Sequence, residues 1–284
     1  MHLDSPAKLN LYLKIGDKLP NDFHEIYSLF TIISLHDSIN FSFCPTGFEL
    51  KSGMEIPETD NLIYKAYSVM RRAFDLDFGM KVKLNKQIPV GGGLGGGSSN
   101  AAATMYAIAA HFKLNIEREK MFELAMRIGS DVPAFCSYFF YGWRYMYVSG
   151  TGQKVFEINS NKQFDYLLVN PNIEISTKWA YTNFKKKLTI FTKTHNSIRC
   201  FDDFLKNGQI DDVLHNDFEP LIFDEYAEYT RINRIFKKYE CPSLLSGSGS
   251  TIFGVLKRKS EAMQMKEEFA ALGFWTKYVK TIER

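Results

Sequence analysis

Apolar and polar positions alternate cleanly from Ala7 to Ile15. Ala7, Leu9, Leu11, Leu13 and Ile15 fall on one side, and Lys8, Asn10, Tyr12 and Lys14 on the other. A period of two is that of a half-buried strand. It predicts that Lys8 and Asn10 project together from the face opposite the core, about 7 Å apart at ~3.3 Å per residue. Strand patterns follow over Glu25–Leu35, Ser38–Phe43, Phe48–Ser52 and Met80–Asn85. Asp60-Asn61 predicts the cap of a helix from Leu62 to about Leu76, with Leu62, Ala66, Val69 and Ala73 as its apolar stripe. The alanine-rich stretch Ala101–His111 is a strong helix former, and a further helix over Ile116–Ile128 stops at Gly129.

From about Phe164 the pattern changes. It reads as strand (Tyr166–Asn170), helix (Thr177–Lys186), an irregular helical insert (Ser197–Leu214) and helix (Glu225–Tyr239). Two strands (Ser243–Ser246, Ile252–Leu256), a helix (Glu261–Leu272) and a strand (Thr276–Thr281) complete it. Without the insert, and with the two central helices as one layer, this order is βαββαβ, the split arrangement of ferredoxin-like domains. The polar run Asn159-Ser160-Asn161-Lys162 marks a boundary that divides the chain into domains 1–160 and 161–284.

Composition narrows this only slightly. A chain of 284 residues makes one large or two medium domains. With 45% hydrophobic and 24% charged residues it is not a disordered chain. Lys+Arg 35 against Asp+Glu 32 gives +3, too balanced for bulk nucleic-acid binding. The 24 Phe and 15 Tyr read mostly as core. Cys44, Cys136, Cys200 and Cys241 are widely spaced with no CxxC pair, which points to a reducing compartment. Met1 to Pro6 lacks the regions of a signal peptide, and no apolar run reaches the length of a membrane span. The expectation is a cytoplasmic protein without membrane or nucleic-acid partners.

The sharpest feature is Pro89-Val90-Gly91-Gly92-Gly93-Leu94-Gly95-Gly96-Gly97-Ser98-Ser99-Asn100, set between an alternating strand and a helix. Glycine lets main chain approach a ligand closely, and free amides at a helix N-terminus bind anions. A flexible linker would not usually occupy that place. The loop lacks the lysine of a Walker loop. A dinucleotide fingerprint fits only because the stretch is so rich in glycine, with no acidic residue downstream to support it. Asp131, in Gly129-Ser130-Asp131-Val132-Pro133, reads on its own as a turn or helix cap. Lys8 on its own is an ordinary lysine on a strand. Ser246-Gly247-Ser248-Gly249-Ser250-Thr251 on its own is a hairpin turn.

Taken together, Ser5 to Leu11, Pro89 to Ala102 and Ser246 to Gly254 resemble the three signature motifs of the GHMP kinase superfamily. The long form of the glycine loop resembles the branch whose substrate is a methylerythritol carrying cytidine diphosphate. Weaker similarity runs through Thr59 to Ile63, Ile175 to Lys178 and Asn216 to Glu219, so the resemblance spans nearly the whole chain. It implies a two-domain α+β fold, with an N-terminal domain like the second domain of ribosomal protein S5 and a ferredoxin-like C-terminal domain. It implies transfer of the ATP γ-phosphate to a 2-hydroxyl, with Asp131 taking the proton and Lys8 beside it as the catalytic pair. Pro89, Val90, Gly91, Gly92, Gly93, Leu94, Gly95, Gly96, Gly97, Ser98 and Ser99 would hold ATP. Mg²⁺ would travel with the nucleotide, touched by Ser98 or Ser99, and adenine would lie near Asn61, Leu62 and Lys86.

The resemblance also implies that Phe23 stacks on cytosine and His24 reads the base edge. Tyr181, beyond Thr177, would cover the opposite face, and Asn10 and Phe30 would line the same pocket. Two departures stand out: Asn21-Asp22-Phe23-His24 where the family has Asp-Gly-Tyr-His, and the bulky Tyr141-Gly142-Trp143-Arg144-Tyr145 in a region usually of small residues. Three other readings compete. One is another small-molecule kinase of the superfamily, for homoserine, mevalonate or a sugar. The second is a catalytically silent nucleotide binder, which would have no need of both Lys8 and Asp131. The third, an RNA-binding sheet, lacks the expected exposed aromatics on Leu167-Leu168-Val169 and Thr251 to Gly254.

Overall fold

A computed structural model of the chain describes all residues except 21, 54–56, 185–200, 202–209, 211–212 and 284. Two long antiparallel strands, β1 (His2–Lys18) and β2 (His24–Cys44), form its centre. Around them runs a sheet of seven strands. Its order is β3 (Phe48–Lys51), β4 (Gly79–Asn85), β2, β1 and β8 (His215–Asn216). β5 (Tyr145–Gly150) also pairs with β2, and β6 (Lys154–Glu157) pairs with β5. One face carries Phe30, Ile32, Ile39, Phe41, Val82 and Leu84. It packs against α1 (Leu62–Ala73), α2 (Gly96–Phe112), α3 (Arg118–Met126) and α4 (Val132–Tyr141).

The opposite face carries Ala7, Leu9, Leu11, Leu29 and Ile33. It meets Tyr166, Leu168, Phe253 and Val255 of a second sheet. That sheet has the order β11 (Trp275–Lys280), β7 (Asp165–Asn170), β10 (Ile252–Leu256), β9 (Ser243–Leu245), all antiparallel. Helices α5 (Thr177–Asn183), α6 (Glu219–Glu225), α7 (Ala227–Lys238) and α8 (Lys259–Ala271) complete this half. The chain order is the βαββαβ expected from the sequence, and the architecture is α+β. Two sheets lie face to face, so apolar side chains leave water on both sides of β1.

That sandwich corrects one reading. β1 has no solvent face: from Ser5 to Leu13 every residue is buried. Nor does the alternation run unbroken. The register with β2 shifts between Asn10 and Tyr12, so Leu11 and Tyr12 both join the inter-sheet core, while Leu13 and Ile15 join the helix side. An extra residue of this kind swaps every later side chain to the other face. The strands predicted over 25–35 and 38–43 are one strand, β2. The stripe of α1 is rotated by one position, with Ile63, Ala66, Tyr67 and Met70 buried. The sequence pattern predicted neither α4, β5, β6, β8 nor α6. Most of the insert at 197–214, Cys200 and the last residues of the helix predicted to Lys186 lie outside the described residues. Among the described residues no helix is long and apolar enough to cross a membrane.

Candidate functional site

Lys8 and Asn10 lie on the helix side of β1, before the register shift, and are therefore neighbours as the alternation predicts. Lys8 is 3% exposed. Its ammonium donates to Asn10 Oδ1, and it stands 4.7 Å from the centre of the Phe30 ring. Asn10 donates in turn to Ser28 Oγ at 2.9 Å, which fixes which end of its amide faces the lysine. Burial lowers the Lys8 pKa, against the opposing pull of a single carboxylate, Asp131, 3.7 Å away.

Asp131 comes from the far end of the domain. It occupies the N-cap position of α4, which begins Val132-Pro133 as helices commonly do. Its side chain makes no cap hydrogen bond. The bland reading of this residue, a turn or cap, is thus half right: position without function. The carboxylate is 29% exposed and faces the cleft, beside Lys8 and at the N-terminal end of α4.

The glycine loop lies between them. The Lys8 amide donates to Leu94 O at 3.0 Å, tying the loop to β1. Gly91, Gly93 and Gly95 have φ of 68, 73 and 71°, a region that L side chains adopt at a cost of about 1–2 kcal/mol. Gly93 has a second reason to be glycine: a Cβ there would lie 2.0 Å from the carbonyl of Ser246. The loop therefore docks on the second glycine-serine loop, where Ser246 Oγ donates to Gly93 O at 3.0 Å and the Thr251 amide to Gly92 O at 3.2 Å. At Gly95 a Cβ would meet the Phe135 ring at 2.7 Å. Gly96 opens α2, so its first amides face the cleft.

The cleft has a volume of about 1230 Å³. Lys8, Asn10, Phe30 and Asp131 line it, as do Pro89 to Ser98, Asn61, Leu62 and Lys86, with Phe23, His24, Thr177 and Tyr181 at its other end. Ser99 departs from expectation. It is fully buried behind the wall, and its hydroxyl accepts from Ser5 Oγ at 2.8 Å. Only Ser98 of the serine pair presents its side chain to the cleft. Asn61 caps α1, its Oδ1 accepting from the Ile63 amide at 2.9 Å, which leaves its NH₂ group for the cleft.

At the other end Phe23 is 60% exposed on the rim. The Tyr181 ring is stacked on His24, 5.7 Å between centroids and 25° between planes, and meets Phe218 edge-on at 4.9 Å. The slot that the sequence leaves between Phe23 and Tyr181 is thus lined on the Tyr181 side by His24. Burial first, and the charge of Asp131 second, push the Tyr181 phenol up to about 12. Thr177 Oγ1 meets Ser248 Oγ at 3.0 Å, joining α5 to the second loop. Tyr141 and Trp143 contact each other, 5.4 Å between centroids, and line no part of the cleft.

Sequence reasoning missed Asp37. It is fully buried, and Oδ1 accepts from the amides of Gln87 at 2.8 Å and Ile88 at 2.9 Å, while Oδ2 pairs with Lys86. A signal was present: Ile33, Leu35, Asp37, Ile39 and Phe41 share one phase of the β2 alternation, and a carboxylate in an apolar phase needs partners. Asn216 is similar. It donates to the carbonyls of Leu245 at 2.7 Å and Gly247 at 2.8 Å, and accepts from the Phe218 amide, pinning the second loop.

A buried amine and an uncapped carboxylate that meet beside bare main chain suit one task well, the movement of a phosphoryl group onto a hydroxyl. The chain belongs to the GHMP kinases, ATP-dependent kinases of small molecules: residues 61–138 match the GHMP kinases N terminal domain, and 194–273 match GHMP kinases C terminal. Its relatives carry a more particular name. A 4-diphosphocytidyl-2-C-methyl-D-erythritol kinase from Thermodesulfovibrio yellowstonii is 34% identical over 97% of this chain and 96% of its own. One from Thermotoga maritima is 35% identical over 89% of this chain and 91% of its own. The crystal structure of a 4-(cytidine 5'-diphospho)-2C-methyl-D-erythritol kinase matches with a TM-score of 0.78 at 26% identity, covering 98% of this chain and 99% of that one.

Proposed function

We propose that this chain transfers the γ-phosphate of ATP to the 2-hydroxyl of 4-diphosphocytidyl-2-C-methyl-D-erythritol, a step of the non-mevalonate route to isoprenoids. The observation that carries the reading is Asp131, placed as an N-cap yet making no cap bond, 3.7 Å from a buried lysine on the wall of the glycine-loop cleft. The Asp131 carboxylate accepts the hydroxyl proton as the new O–P bond forms, and the bond from the γ-phosphorus to the β,γ-bridging oxygen breaks so that ADP leaves with that oxygen. Lys8 favours negative charge on the attacking and transferring oxygens. Asn10, locked by Ser28, sets where that ammonium points.

The amides from Gly91 to Ser98 hold the triphosphate, and Ser99 instead secures the start of α2 through Ser5. Asn61, Leu62 and Lys86 take the base of ATP. Among the described residues no cluster of three metal-ligating side chains exists. Ser98, open on the cleft wall, would meet a magnesium ion carried by the triphosphate, and the ion would neutralise phosphate charge. Cytosine stacks on Phe23 at the rim, with His24 on its edge and backed by Tyr181; the missing phenol hydroxyl leaves the stacking face intact. Thr177, Phe30 and Asn10 line the path between the base and the reacting hydroxyl. We place the boundary between the two domains at residue 160.

The test is ATP consumption by purified protein with this substrate. Turnover that falls about 10²- to 10⁴-fold in Asp131→Asn supports the reading; no turnover above that variant refutes it.

A further inference from the structure

Lys86 stands in an unusual place for a cation. Its amine lies 3.0 Å from where a Cβ on Gly96 would be, against the first turn of α2. The positive end of a helix repels an ammonium there. The group opposing that repulsion is Asp37, which is itself anchored by the amides of Gln87 and Ile88, the two residues after Lys86. One buried carboxylate thus fixes both the amine and the main chain that leads into the glycine loop. The two remaining N–H groups of Lys86 have no partner among the described residues, and the side chain is 14% exposed, on the cleft wall.

We propose that Asp37 is a positioning residue of the nucleotide site: through Lys86 it holds an ammonium over the N-terminus of α2, where it donates to bound nucleotide. The proposal rests on the reading of the glycine loop as that site. Asp37 never touches the ligand. That pairing keeps the ammonium on the wall of the nucleotide site, since a lysine without an anchored partner would swing toward water. The device acts on nucleotide affinity and leaves the Lys8–Asp131 pair, on β1 and α4, undisturbed.

The experiment is equilibrium binding of ADP to wild type, Asp37→Asn, Lys86→Met and the double variant, with KM for ATP and kcat measured alongside. Asparagine can still accept from the Gln87 and Ile88 amides, while its NH₂ opposes the ammonium. The dissociation constant for ADP should rise about ten- to a hundred-fold in each single variant, the range of a hydrogen bond to a charged group. KM for ATP should follow it, with kcat of Asp37→Asn changed less than three-fold. Because Asp37 acts through Lys86, the double variant should bind no more weakly than Lys86→Met. Additive losses in the double variant would show a merely structural role and overturn the proposal. If Asp37→Asn does not fold, Lys86→Met decides alone, and unchanged ADP binding there overturns it. Wild-type protein that does not bind ADP removes the reading of the site itself, a result distinct from wild-type binding that Asp37→Asn leaves intact.

Discussion

Lys8 has little water around it and one carboxylate at 3.7 Å. Burial wins, and its pKa lies below the ordinary lysine value of 10.5. The folded protein releases this proton at lower pH than the unfolded chain does, so between the two values this group makes folding more favourable as pH rises. Activity moves the other way, because a neutral amine no longer supports the developing charge. The alkaline limb of the kcat/KM profile, which reports the free enzyme, should therefore fall below pH 10.5 while circular dichroism stays native. A limb that coincides with unfolding would count against the role of Lys8. Period two alone made Lys8 and Asn10 legible as neighbours. Their burial was not, because a second sheet covers what the pattern marks as a solvent face. Ser99 was misjudged since sequence cannot tell which of two adjacent serines faces inward.

The glycine loop separates two costs within one element. Gly91 and Gly93 both have positive φ, but a Cβ on Gly91 meets nothing within 4 Å, whereas one on Gly93 runs into main chain of the second loop. Gly91→Ala should cost about 1–2 kcal/mol, the conformational term alone. Gly93→Ala should cost at least twice as much and separate the two loops, read as a larger fall in Tm and weaker ADP binding. Equal losses would mean that the loops do not depend on this contact. The loop and α2 were legible because glycine, serine and alanine change abruptly there. α4 was not: Val132-Pro133-Ala134-Phe135-Cys136-Ser137-Tyr138-Phe139-Phe140-Tyr141 is apolar almost all round and shows no 3.6-residue stripe. The shift in β1 was hidden for a related reason, since Leu9, Leu11 and Leu13 keep the apolar alternation running across it.

On the scale of the molecule, the cleft is built by both halves of the chain. β1, α2 and α4 supply the reacting groups, and α5 and the second loop close the far end. The βαββαβ order and the two-domain α+β fold could be read ahead of the structure because each element has its own period. The face-to-face seating of the sheets could not, because it depends on contacts between residues more than a hundred positions apart. Two ligand ends in one cleft predict that ADP and cytidine diphosphate each protect the protein from heat. At a hundred times its Kd each should add about 2.7 kcal/mol, on the order of 5 °C in Tm. Protection by ADP but not by cytidine diphosphate would move the chain to another substrate within the same superfamily.

The most direct measurement is ³¹P NMR of the product made from ATP and 4-diphosphocytidyl-2-C-methyl-D-erythritol. The account predicts one new phosphomonoester signal, coupled to the methylerythritol skeleton through its 2-oxygen, growing as ADP appears and missing with Asp131→Asn. Phosphate found on another oxygen, released as inorganic phosphate, or transferred equally well by Asp131→Asn would contradict it.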